Sequence, residues 1–313
     1  VTSSDRLRNL APALAQCPAL HTVFIVGVGA GAVAADAGTY RVLPWDAAAP
    51  GAEPHSAIDA DMAAILYTSG STGKPKGVVL SHRNIVAGAR SVAGYLGNTA
   101  SDRILAALPL SFDYGLSQLT TAFASGAAVV LMNHVLTRDI PEMIDRERIT
   151  GLAAVPPLWI QLSQLAWPPS CSLRYLTNSG GSMPRTAVDA LRAALPGADL
   201  VLMYGLTEAF RSTWLPPAEL ARRPDSIGRA IPNAEVLVVR PDGTPCDAGE
   251  PGELVHRGAL VSLGYWNDPA KTAERFKPFA SKQHGLVLPE MAVWSGDTVR
   301  RDEEGFLYFL SRA

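Results

Sequence analysis

The sequence predicts an α/β protein with mixed, largely parallel sheet flanked by helices and a β-rich subdomain at the C-terminal end. Three observations predict this. Short apolar runs alternate with helical patterns between about residues 81 and 203. A loop rich in glycine, hydroxyls and lysine separates two apolar runs near residue 70. After about residue 225 the helical pattern gives way to strand-like runs punctuated by Asp242-Gly243 and Glu304-Gly305. The expected division is an α/β core over 1–225 and a β-rich part over 226–313.

Val23-Phe24-Ile25-Val26 reads as a buried strand, and residues 44–60, rich in Pro, Ala, Gly and Asp, as a connector. Ser81 is placed to cap a helix running to about Leu96. Strands are expected at 103–107, 127–132, 151–155, 173–178 and 199–203, with helices at 115–124, 140–147, 157–165 and 184–194. Asp139 and Ser182 are expected caps, with Pro141 and Pro184 in the first turns. Beyond 225, Ala234–Arg240, Glu253–His256, Val293–Arg300 and Phe306–Leu310 are strand-like, and Asp268-Pro269 opens one short helix.

Composition excludes several classes. With 313 residues, 48% hydrophobic and 18% charged, the chain reads as globular with room for a large core. Net charge is −2 and the basic residues are dispersed, so no field for nucleic acid is expected. Cys17, Cys171 and Cys246 lie far apart, which fits a reducing cytoplasm rather than a disulfide framework or zinc knuckle. The longest apolar run, near 23–35, is Gly-rich and too short for a membrane span. No secretory signal is visible, and a first residue of Val1 suggests a fragment.

The segment Thr68-Ser69-Gly70-Ser71-Thr72-Gly73-Lys74-Pro75-Lys76-Gly77 follows the apolar run Ala63–Tyr67 and precedes Val78-Val79-Leu80. Glycines let backbone N–H groups approach phosphate oxygens, hydroxyls add donors, and lysines add charge. Two of the chain's five lysines lie here. It is not a Walker A loop: only two residues separate Gly70 from Gly73, and Pro75 follows Lys74. The competing reading is a Gly/Ser/Thr-rich surface loop.

A second glycine cluster, Gly27-Val28-Gly29-Ala30-Gly31-Ala32, mimics a dinucleotide fingerprint, with Asp46 as the acid some distance on. Its expected helix from Gly31 to about Ala37 breaks at Gly38, and Pro44-Trp45 intervenes, so a loop exit from a strand is the preferred reading.

Further segments carry polar chemistry at strand ends. Tyr204-Gly205-Leu206-Thr207-Glu208 follows the apolar Leu200–Met203, where α/β folds place ligands. Asn178-Ser179-Gly180-Gly181-Ser182 joins a strand to a helix. Ser295-Gly296-Asp297 and Tyr308-Phe309-Leu310-Ser311-Arg312 close the chain. Phe112-Asp113 opens a helix, where Asp113 is read either as its N-cap or as a substrate contact. His82, one residue past a cap serine, is read as structural.

Four of these elements, in this order over about 250 residues, resemble the adenylate-forming superfamily of acyl-CoA synthetases, peptide-synthetase adenylation domains and luciferases. The pattern around Leu108–Gln118 and Tyr204–Thr213 is most similar to acyl-CoA ligases associated with bacterial exosortase systems. The resemblance implies ATP and Mg²⁺ as cofactors, a small carboxylic or amino acid as substrate, and coenzyme A or a carrier-protein pantetheine as acyl acceptor. It assigns Thr68 to Lys76 to the β- and γ-phosphates, with Lys76, Thr207 and Glu208 as the catalytic set.

By the same resemblance Thr207 meets the α-phosphate and Glu208 holds Mg²⁺. Tyr204, Gly205, Gly180 and Gly181 line the adenine site, Asp297 binds ribose, and Arg312 lies beside it. Ser311 departs from the family's usual glycine. Phe112, Asp113, Pro156 and Gly181 line the acyl pocket, and Asp113 matches the aspartate that takes a substrate ammonium. The resemblance starts inside the family's large domain and stops at its hinge, so the small C-terminal domain is expected to be absent and turnover weak. Two other classes compete: a nucleotide-binding remnant without catalysis, and a nicotinamide-dependent oxidoreductase using the Gly27 segment.

Overall fold

The computed structural model describes residues 1–27, 35–36, 40–48, 51, 56–68, 75–132, 136–168, 170–280 and 289–312. They fall into two compact units, Val1–Ala57 and Ile58–Ala313. The first holds a four-stranded sheet in the order Thr2–Ser3, Thr22–Val26, Arg41–Pro44, Ala35–Asp36, with the helix Ser4–Leu14 capped by the Ser3 hydroxyl. Val23, Ile25, Tyr40 and Val42 form its small core. Residues 28–34 of the glycine cluster lie outside the described residues, but Ala35–Asp36 is a strand antiparallel to Arg41–Pro44. A dinucleotide fold needs helix there, so that feature of the oxidoreductase reading is contradicted.

In the second unit the alternation read from the sequence becomes a seven-stranded mixed sheet. Its order is Arg229–Ala230, Thr213–Leu215, Asp199–Tyr204, Tyr175–Asn178, Gly151–Ala154, Arg103–Ala106, Ala128–Leu131. The last five in that order pair parallel; the first two join antiparallel. Helices Asp139–Glu147, Pro156–Leu162 and Arg185–Ala194 supply Ile140, Ile144, Trp159, Leu162 and Leu191 to a core with Leu105, Leu152 and Leu176. Gly151–Ala154 and Tyr175–Asn178 are buried at every position, as central parallel strands covered on both faces must be.

Two further sheets complete the unit. Met62–Thr68 and Lys76–Ser81 form an antiparallel hairpin with Thr68 opposite Lys76. Five antiparallel strands, Ala234–Val239, Pro251–Gly258, Pro289–Arg301, Phe276–Ala280 and Leu307–Arg312, make the β-rich part. The α/β class and the β-rich end are therefore as the sequence predicts. Hydrogen bonds from Ile227 N to Leu307 O (2.9 Å) and from Leu307 N to Gly228 O (2.8 Å) tie the strand Leu307–Arg312 to the segment leading into Arg229–Ala230 of the seven-stranded sheet.

Ser81 caps His82–Leu96 as expected, with Asn84 returning the bond in a capping box. Three cap readings are corrected. Asp113 and Asp139 are first helical residues, preceded by Phe112 and Arg138. Their carboxylates sit inside the first turn, where the helix dipole favours negative charge. Ser182 is displaced by Pro184, which precedes Arg185–Ala194 in extended geometry without a side-chain bond. Among the described residues, no helix is long and apolar enough to cross a membrane.

Candidate functional site

All of the candidate side chains belong to the second unit. The parallel strands run in one direction, so the turns after Arg103–Ala106, Gly151–Ala154, Tyr175–Asn178 and Asp199–Tyr204 emerge along one edge. Those turns carry Phe112-Asp113, Pro156, Gly180-Gly181 and Gly205-Leu206-Thr207-Glu208. Placement at that edge follows from the topology of an open parallel sheet.

The loop after Asp199–Tyr204 contains a short 3₁₀ turn, Thr207–Ala209, with Thr207 buried and Glu208 half-buried. Oε1 of Glu208 accepts a hydrogen bond from the Tyr265 hydroxyl at 2.5 Å. The Nζ of Lys76 lies 5.4 Å from the centroid of the same Tyr265 ring. Backbone bonds explain how residues so distant in sequence meet. The segment Ser262–Trp266 is stitched to Lys76–Ser81 through Val79 N to Gly264 O (2.9 Å) and Trp266 N to Gly77 O (2.7 Å). Ser262 N donates to Glu208 O at 2.9 Å. A Cβ on Gly77 would lie 2.9 Å from Ile65 Cγ2 of the partner hairpin strand, so the position has no room for a side chain. Burial and the Glu208 carboxylate raise the Tyr265 phenol well above its ordinary range, so it stays a donor.

A second convergence lies at the end of the β-rich sheet. Tyr204 donates to Asp297 Oδ2 at 2.5 Å. Asp297 pairs in register with Arg312, whose Nε stands 3.4 Å from Oδ1. That contact is an ion pair without hydrogen-bond geometry, so Oδ1 of the buried Asp297 remains an unused acceptor. Arg312 itself is mostly exposed. An orphaned buried carboxylate oxygen suits a hydroxyl donor, and a vicinal diol supplies two.

The acid-pocket residues also come together. A Cβ on Gly181 would lie 3.2 Å from Pro156 Cγ, and one on Gly180 would lie 3.8 Å from the Phe112 ring. Gly180 takes φ +83, a conformation that favours glycine, and Asn178 holds the turn by donating to Gly181 O at 3.0 Å. Asp113 is 5% exposed, and among the described residues no cation lies within ion-pair distance of it. Burial pushes its carboxyl above the ordinary value of 3.8, with the Arg211 charge opposing.

Of the expected phosphate loop, Thr68, Pro75 and Lys76 are described, half-buried or exposed at the loop end of the hairpin. Ser69, Gly70, Ser71, Thr72, Gly73 and Lys74 lie outside the described residues.

Sequence reasoning missed three residues. Tyr265 carries no motif signal. Arg211 and Ser179 stand inside quoted motifs but were passed over. The Arg211 guanidinium is fully buried, stacks 4.7 Å from the Tyr114 ring centroid, and donates from Nη1 to Ser179 Oγ at 3.2 Å. A charged side chain buried so completely was the signal, and burial is not visible in sequence.

The family model described as AMP-binding enzyme matches residues 3–266. The chain belongs to this family of adenylate-forming enzymes. It is 38% identical over 247 residues to 4-coumarate–CoA ligase 2 of Oryza sativa subsp. japonica, covering 73% of this chain and 43% of that one. It is 34% identical over 255 residues to delta-poly-L-ornithine synthetase of Acinetobacter baumannii, covering 80% of this chain and 18% of that one. Thus the chain spans less than half the length of either relative.

Among solved structures it resembles VinN in complex with L-aspartate, at TM-score 0.71 and 35% identity over 83% of this chain and 62% of that one. It also resembles O-succinylbenzoate coenzyme A synthetase of Bacillus subtilis with ATP and magnesium ion, at TM-score 0.75 and 30% identity over 88% and 56%.

Proposed function

We propose that this chain carries the nucleotide and acid sites of an ATP-dependent, AMP-forming carboxylate ligase. The observation that carries the reading is Tyr265 joining Lys76, at the end of the phosphate-loop hairpin, to Glu208, beyond the strand Asp199–Tyr204. One cation and one carboxylate are thereby held at a single locus on the ligand-bearing edge of the sheet. In the reaction a carboxylate oxygen forms a bond to the α-phosphorus of ATP while the bond to the β-phosphate oxygen breaks. Acyl-AMP and pyrophosphate result. The leading acceptor is the thiol of coenzyme A, which displaces AMP to give the thioester.

Each residue has a role in this reading. Lys76, with Thr68 and the loop between them, neutralises the departing pyrophosphate. Thr207 donates to the α-phosphate. Asp297 accepts from ribose hydroxyls with its free Oδ1, while Tyr204 fixes Oδ2. Tyr204, Gly205, Gly180 and Gly181 bound the adenine, and Arg312 steadies Asp297 from outside. Glu208 fits Mg²⁺, a hard cation that takes one or two carboxylates and completes its shell with phosphates and water. When bound, that ion neutralises phosphate charge. Tyr265 fixes one Glu208 oxygen and leaves the other for the ion.

A second reading, favoured by Asp113, is that the acid is an amino acid passed on to a carrier-protein pantetheine. A buried carboxylate with no cation at ion-pair distance among the described residues is a binding group for an ammonium.

The test is calorimetric titration with non-hydrolysable acyl-adenylate mimics, one long-chain acyl and one aminoacyl. Tight binding of either supports the reading. Failure of both to bind a chain that unfolds cooperatively removes it.

A further inference from the structure

Arg211 has no part in the reading above, and its setting is unusual. It lies three residues beyond Glu208, behind Phe210, which takes φ +55 and is fully buried. That left-handed turn reverses the chain and packs Arg211 Cα against Gly205, where a Cβ would lie 3.1 Å away. The guanidinium then crosses to the neighbouring turn, donating to Ser179 Oγ, with the Tyr114 ring stacked against it. Its Nε and Nη2 are buried and have no hydrogen-bond partner. Among the described residues, no carboxylate lies within ion-pair distance of it.

Asp113 precedes Tyr114 in the chain and is the opposite case: a buried carboxylate without a cation at ion-pair distance among the described residues. Arg211 stacks on Tyr114, the residue that follows Asp113, yet the two opposite charges do not pair. Burying an unpaired charge is costly, and two opposite ones buried about the same Tyr114 and left unpaired form a poor structural device. They form a good receptor for a ligand carrying both charges. Asp113, Ser179 and Arg211 all follow strands of the parallel set at the ligand-bearing edge, where Phe112 approaches Gly180 and Pro156 approaches Gly181.

Resting on the amino-acid reading above, we propose that the acid activated here is an amino dicarboxylic acid. Its ammonium meets Asp113, and its second, unreacting carboxylate meets Nε and Nη2 of Arg211. Those two nitrogens offer parallel donors, the geometry a carboxylate accepts in bidentate fashion. Ser179 orients the guanidinium and the Tyr114 face supports it. Replacing that second carboxylate by an amide puts an NH₂ against a donor and leaves part of the buried fork unsatisfied, so the site discriminates acid from amide.

The test uses the chain as it stands and four non-hydrolysable sulfamoyl adenylates: aspartyl, glutamyl, asparaginyl and hexanoyl. Calorimetric dissociation constants are the readout. The expected result is an aspartyl or glutamyl mimic binding about 30-fold or more tightly than the asparaginyl one. Arg211→Gln is expected to bring acid and amide within about threefold of each other, with AMP titrated alongside to report whether the nucleotide site survives. Equal binding of acid and amide by the unmodified chain overturns the proposal, as does undiminished acid preference in Arg211→Gln. Should that variant fail to unfold cooperatively, the acid-to-amide ratio of the unmodified chain decides alone. Strongest binding of the hexanoyl mimic leaves the adenylate reading standing and removes this inference. Failure of all four to bind a cooperatively folded chain removes both.

Discussion

The Tyr265 hydroxyl donates to Glu208 Oε1 at 2.5 Å, and its ring lies beneath the Lys76 ammonium at 5.4 Å. One aromatic side chain thus positions both charges assigned to the phosphates and their ion. Tyr265 sits between Gly264 and Trp266, both bonded to the hairpin strand, so it is held by backbone rather than by side-chain packing alone.

Tyr265→Phe keeps the ring and the apolar contacts but frees the Glu208 carboxylate. Affinity for Mg²⁺·ATP is expected to fall about tenfold, with AMP affected much less, since partners of a metal ligand typically contribute that much. Titrations with the two nucleotides measure the split. Equal losses for both would show that Tyr265 acts on the fold and not on the ion.

Asp297→Asn removes the charge that makes Oδ1 a strong acceptor. AMP affinity is expected to drop about tenfold or more, the contribution of a hydrogen bond to a charged group. For 2′,3′-dideoxy-AMP the same substitution is expected to change little, because the interacting hydroxyls are gone. A parallel loss for both nucleotides would remove the ribose assignment.

Two buried titratable groups give opposite pH signatures. His256 is fully buried, shares a 2.9 Å hydrogen bond between Nδ1 and Ser212 Oγ, and has its pKa pushed down to about 3 by burial. The unfolded chain, at the ordinary 6.5, takes up a proton first as pH falls. Its contribution is therefore whole above 6.5 and is lost progressively toward 3, amounting to about 2 kcal/mol by pH 5. Asp113 is raised above 3.8, so its contribution is whole below 3.8 and is lost as pH rises through the folded value. Thermal melts across pH 3.5–8 are expected to show a shallower acid-side decline in His256→Gln. In Asp113→Asn the expected gain over the unmodified chain grows as pH rises. Parallel curves for all three proteins would remove both assignments.

Gly115, in the pocket helix Asp113–Ser125, and Gly94, in His82–Leu96, differ in the room each leaves for a side chain. A Cβ on Gly115 would lie 1.9 Å from the Pro109 carbonyl oxygen, a backbone atom that cannot swing away. Gly115→Ala is expected to destabilise by about 1–3 kcal/mol, or more if the helix Asp113–Ser125 shifts. Gly94, on the exposed face of His82–Leu96, has nothing within 4 Å of its Cβ position. Gly94→Ala is expected to stabilise by about 0.5–1 kcal/mol through the unfolded chain and helix propensity. Urea midpoints measure both.

The sequence by itself determined the α/β class, most of the strands and helices, the turns that carry Thr207-Glu208 and Gly180-Gly181, and the strand that carries Asp297. Those features are local: apolar periodicity, a cap such as Ser81, and glycine where the backbone must turn or approach closely. Sequence was less reliable at helix starts, where Asp113, Asp139 and Ser182 read alike as caps although Phe112, Arg138 and Pro184 take those positions. Tertiary structure alone decided which distant charges meet. Tyr265 reaches Glu208 only because the segment around Gly264 is stitched onto the hairpin strand. Asp297 meets Tyr204 only because the β-rich sheet is tied to the parallel one through Leu307. Arg211 becomes a buried, half-satisfied donor only through the left-handed turn at Phe210 and the approach of Ser179 from the next strand. Contacts of this kind depend on side-chain direction and desolvation across strands far apart in the chain, and a one-dimensional pattern encodes neither.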